Sequence, residues 1–94
     1  QIPLYPGSME IISDDVIAQT HQVFKNLIAV AEAAGGSLSN AAKLTIYVTD
    51  LGDFAVINQI MAEYFSKPYP ARATIQVSAL PKGSRVEIDA VLAL

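Results

Sequence analysis

Two stretches in the last quarter of the chain, Ala71 to Ala79 and Val86 to Leu92, alternate apolar with polar residues. A period of two marks strands with one buried face. In the first, Ala73, Ile75, Val77 and Ala79 share one face, and Arg72, Thr74, Gln76 and Ser78 share the other. In the second, Val86, Ile88, Ala90 and Leu92 oppose Glu87 and Asp89, and Leu80-Pro81-Lys82-Gly83 between the two reads as a turn. A tight hairpin about Lys82-Gly83 would set Glu87 opposite Ser78, roughly 20 Å along the strand from Arg72. A site using both residues then needs non-adjacent strands or two chains.

Upstream the period changes. Gln1 to Gly7 reads as the tail of a strand entering a turn, because Pro3 and Pro6 cannot donate to a ladder. Ser13, Asp14 and Asp15 supply an N-cap and negative charge for a helix. Val16, Thr20, Val23, Leu27, Val30 and Ala34 recur at three-to-four spacing, which predicts a helix from Val16 that Gly35-Gly36 ends. Gln19, Gln22, Lys25, Asn26 and Glu32 fall on its expected wet side, and His21 sits among polar neighbours. Lys43 to Thr49 alternates as a strand with Leu44, Ile46 and Val48 inward. Asp53 is placed to cap a second helix carrying Phe54, Ile57, Ile60 or Met61, Tyr64 and Phe65, which stops before Pro68 and Pro70.

The order strand, helix, strand, helix, strand, strand predicts an α+β two-layer sandwich, a sheet with two helices on one face. Residues 1–94 read as one domain with no linker or repeat. Thr45, Tyr47, Thr74, Gln76, Val91 and Ala93 would line the other face, too polar for a core and too apolar for open water. A hydrophobic content of 52% with only 16% charged residues leaves more apolar surface than a small core hides, so a homo-oligomer is expected.

Composition narrows the function classes. Net charge −3 with no basic cluster leaves no electrostatic footprint for nucleic acid or an anionic membrane. The absence of cysteine removes disulfides, thiolate catalysis and cysteine-based metal sites, and fits a reducing, cytoplasmic setting. No apolar run is long enough to span a bilayer and no signal-peptide pattern opens the chain. Its first residue, Gln1, suggests a processed or truncated chain.

Arg72, led in by Pro70-Ala71, offers a planar fork suited to a carboxylate or phosphate, or to a structural ion pair. Glu87 and Asp89 share a strand face, where a carboxylate can hold and activate water or simply be solvated. Asn58 on the second helix can cap a loop or contact a ligand, while Tyr47 and Tyr69 read as packing. Asp14-Asp15 and Asp50-Asp53 suit capping and turns better than metal binding.

In combination, these pieces resemble the Rid family of reactive intermediate deaminases, also called YjgF-like or L-PSP endoribonuclease-like. The resemblance runs through Gln1-Ile2-Pro3, the Thr20 to Gly35 helix, Lys43-Leu44-Thr45, Asp53-Phe54-Ala55 with Asn58, Pro70-Ala71-Arg72, Leu80-Pro81-Lys82-Gly83 and Val86 to Ala90. It implies a chorismate-mutase-like fold with a mixed β-sheet, a homotrimer, and clefts between subunits. By motif, Arg72 resembles the arginine that grips the substrate carboxylate, Glu87 the acid that positions water, and Asn58 a cleft asparagine. Thr74 stands where many members carry cysteine and where backbone atoms contribute to substrate binding.

The implied reaction is that of a 2-iminobutanoate/2-iminopropanoate deaminase, which hydrolyses 2-imino acids to 2-keto acids and ammonia with no metal or organic cofactor. The alternatives are a non-catalytic trimer that binds small carboxylates in a regulatory or chaperone-like role, and a ribonuclease. Two strands that usually precede Gln-Ile-Pro, with a tyrosine and a Ser-Gly of the opposing cleft wall, have no counterpart here.

Overall fold

A computed structural model describes residues 1–67 and 69–94. The first helix, α1 (Val16–Ala33), starts where the Asp15 carboxylate accepts a hydrogen bond from the Ala18 N–H. Of the three candidates, Asp15 is the cap. At the other end Gly35 turns left-handed, φ 86°, and bonds run from Gly36 N to Ala31 O and from Gly35 N to Glu32 O. This crossed pair satisfies carbonyls the helix leaves open and needs a residue without a Cβ.

Strand β1 (Ala41–Val48) follows, then α2 (Phe54–Met61), β2 (Ala71–Gln76) and β3 (Val86–Leu92). Helix α2 is shorter than its apolar pattern, since Tyr64 and Phe65 lie in the turn beyond it. The expected stop at Pro68 lies outside the described residues. Asp53 does not cap α2 through its side chain; its carboxylate pairs with Arg85 Nη2 at 3.0 Å. Asp50 serves the lead-in turn instead, accepting from Gly52 N.

The three strands form one mixed sheet in the order β2-β1-β3, with β1 parallel to β2 and antiparallel to β3. The parallel pair is joined through α2, the crossover that parallel neighbours require. No tight hairpin joins β2 to β3, because β1 lies between them. Leu44, Ile46, Val48, Val86 and Ile88 are fully buried against Val23, Phe24 and Ile57 of the helices. This is the α+β layer of two helices on one face of a mixed sheet. No helix among the described residues is long and apolar enough to cross a membrane.

Register decides the faces. Arg72, Thr74 and Gln76 pair with Leu44, Ile46 and Val48, so they share the helix side. The expectation that Thr74 and Gln76 line the open face is therefore wrong; that face carries Ala73 and Ile75 of β2 with Thr45, Tyr47, Glu87, Asp89 and Val91. Strand β2 is an edge strand, largely exposed on both sides, so alternation alone does not reveal its inner face.

Two helix residues also depart from expectation. Gln19 is only 1% exposed: its Nε2 donates to Ser13 O and its Oε1 accepts from Arg85 N. Asn26 donates to the Ile2 and Leu4 carbonyls, tying the N-terminal segment to α1. Gln1 and Ile88 exchange two backbone bonds at the outer edge of β3.

Candidate active site

Arg72 opens β2 on the helix side and looks toward the end of α2. There it lines a cavity of about 120 Å³ with Asn58, Met61, Phe65 and Tyr69. An exposed arginine beside an apolar wall forms a place for a small anion carrying a hydrocarbon tail. The described ion pair of the chain belongs to Arg85 and Asp53, not to Arg72. Asn58 adds a second polar group. Its Oδ1 is buried and accepts no hydrogen bond among the described residues, an arrangement costly enough to leave room for a donor from a ligand.

The structure thus brings Asn58 and Arg72 to one cavity. Thr74 sits two residues along the same face, half-buried opposite Ile46, and does not line that cavity. Glu87 is elsewhere. It pairs with Tyr47 on the open face, so the sheet itself separates it from Arg72. Two inter-strand steps and about three residues along the strands put their Cα atoms roughly 14 Å apart.

On the open face Glu87 and Asp89 flank Tyr47, Glu87 directly opposite and Asp89 opposite Thr45. The Tyr47 phenol is held above the usual tyrosine range, first by desolvation and then by the Asp89 carboxylate through charge and hydrogen bonding, with Glu87 adding to it. Ile75 and Val91, 46% and 59% exposed, make the same face apolar at its sides.

His21 is half-buried and has a partner. Its Nδ1 is 2.7 Å from the Tyr64 hydroxyl, and Tyr64 stacks on Phe24 with centroids 4.7 Å apart. Burial raises the Tyr64 pKa, with a smaller contribution from Glu63. Sequence reading missed this pair because its members are 43 residues apart, one on α1 and the other in the turn after α2.

The whole sequence, residues 1–94, matches the family described as Endoribonuclease L-PSP. The chain belongs to this family, the Rid family. Among Rid relatives it is similar to Protein DfrA of Myxococcus xanthus, 54% identical over 97% of this chain and 70% of that protein. It is 43% identical to a human protein named 2-iminobutanoate/2-iminopropanoate deaminase, over 97% of this chain and 66% of that one. The fold superposes on the crystal structure of RidA from a Psychrobacter species with a TM-score of 0.96. Identity there is 48%, covering 100% of this chain and 76% of that one. The Rid fold and the deaminase naming of relatives are therefore shown, while other relatives carry different names.

Proposed function

We propose that this chain hydrolyses short 2-imino acids to 2-keto acids and ammonia, in a homotrimer whose sites lie between copies. The observation that carries the reading is the cavity in which Arg72 meets the unpartnered Asn58 oxygen. Arg72 grips the substrate carboxylate through its fork, and Asn58 Oδ1 accepts from the imine N–H. Glu87 of a neighbouring copy takes a proton from water as its oxygen attacks C2. The proton passes to nitrogen, giving a carbinolamine; its hydroxyl then gives up a second proton to the amine, the C–N bond breaks, and ammonia leaves as the keto oxygen forms. The imine carbon is already electrophilic, so positioning and proton transfer suffice. Thr74 borders this path on the Arg72 side.

The test is a coupled assay with freshly generated 2-iminobutanoate. Keto-acid formation faster than in buffer, lost in Arg72→Ala, supports the deaminase. Carboxylate binding without acceleration points instead to a binding protein, a reading favoured by one fact: within a single copy Glu87 lies on the sheet face opposite Arg72. Direct RNA cleavage is disfavoured by six basic against nine acidic residues. Salt-dependent RNA binding would revive it.

A further inference from the structure

Two cavities meet at the end of α2. The first, about 120 Å³, is the one lined by Arg72 and Asn58. The second, about 290 Å³, is bounded by Leu38, Ala41, Tyr64 and Lys67, and shares Phe65 and Pro70 with the first. Those two residues are the common wall. Proline has no side-chain swing to offer, so the part of the wall that a substitution can open is the Phe65 ring.

That ring is braced. Phe24, fully buried, meets it edge-on at a centroid distance of 6.0 Å and an angle of 80°. Phe24 in turn stacks on Tyr64, whose hydroxyl is hydrogen-bonded to His21 of α1. Edge-to-face and offset stacking of this kind adds to the area that each ring buries. The partition is thus fixed to α1 rather than left as a mobile flap on the turn after α2.

The first cavity has a polar end, Arg72 and Asn58, and an apolar end, Met61 and Phe65. An acid held by its carboxylate at Arg72 sends its hydrocarbon tail toward Phe65. The second cavity, at about 290 Å³, is more than twice the size of the first, at about 120 Å³. A tail running from Arg72 toward Met61 therefore meets the Phe65 partition sooner when it is branched or aromatic than when it is short and unbranched.

We propose, resting on the deaminase reading above, that Phe65 is the specificity-determining residue: it closes off the second cavity and confines this chain to 2-imino acids with short, unbranched tails. The second cavity is the volume a longer tail enters once Phe65 is trimmed.

The test compares the native protein with Phe65→Ala and the milder Phe65→Leu, using two stable keto acids, 2-oxobutanoate and 4-methyl-2-oxopentanoate, as binding probes and the matching imino acids as substrates. A methylene in an apolar pocket is worth about 10-fold to 200-fold in discrimination. The native protein should favour the four-carbon acid by at least about 10-fold, expressed in Kd and KM rather than in kcat. Phe65→Ala should abolish or reverse that preference, with Phe65→Leu intermediate. An unchanged preference in either folded variant, or equal use of both acids by the native protein, overturns the proposal while leaving the deaminase intact. Size-selective binding with no hydrolysis sinks the deaminase but keeps the partition; binding of neither acid overturns both.

Discussion

Arg72 and Glu87 point to opposite faces of one sheet, on strands that flank β1. A site that needs both must draw them from two copies of the chain. Arg72→Ala and Glu87→Ala proteins should each be inactive, yet unfolding and refolding them together should restore activity. With random mixing around a closed ring, roughly a quarter of the sites receive both native residues. Recovery close to that fraction is the expected result, and none at all would place the reaction within one copy or elsewhere.

Arg72→Lys should behave as a loss rather than a conservative change. Lysine keeps the charge but not the two-pronged geometry that matches a carboxylate. We expect kcat/KM for 2-iminobutanoate to fall on the order of 100-fold, chiefly through KM, if the residue grips the ground state and transition state alike. Steady-state kinetics on the two arginine variants would show it.

Tyr47 should titrate late. Desolvation, then Asp89 and Glu87, favour its neutral form, so its folded pKa lies above the unfolded one. The resulting stabilisation is complete below the unfolded value and disappears as pH rises through the folded value. Alkaline titration followed by tyrosine carbon NMR should show Tyr47 ionising above the usual range. Asp89→Asn should bring it down without moving Tyr64, which is raised by burial and Glu63 instead.

Gln19 should be worth more than its place in a polar stripe suggests. Replacing it with leucine keeps the volume but strips partners from the Arg85 N–H and the Ser13 carbonyl. The expected loss is about 2 kcal/mol of unfolding free energy by urea titration. Glu32→Ala, on the exposed side of the same helix, should change stability by less than about 0.5 kcal/mol.

Much of the layer architecture was legible because it rests on strong periodicity. Leu44, Ile46 and Val48 alternate against wet neighbours, and α1 repeats its apolar stripe for 18 residues before Gly35 stops it. The inner face of β2 was not legible: an edge strand wet on both sides gives the pattern no contrast, and Thr74 and Gln76 fell to the wrong side. Nor could composition separate a solvated glutamine from one that stitches α1 to the start of β3, since Gln19 and Gln22 look alike until partners are known. At the candidate site, the Pro-Ala-Arg lead-in singled out Arg72. The meeting of Arg72 with Asn58 across 14 residues is set by the crossover, and only the folded chain reveals it.

The position of β1 in the middle of the sheet also sets a schedule for folding. Both of its neighbours are encoded after it: β2 begins 23 residues downstream of Val48 and β3 at residue 86. As the chain emerges from a ribosome, β1 exposes two unpaired edges until β2 covers one, and the other waits for β3. Such long-range pairing is slow to nucleate and open to wrong partners in the interval. Residues 86–92 therefore act as the closing latch of the sheet, and substitutions there should appear first as lost yield during synthesis.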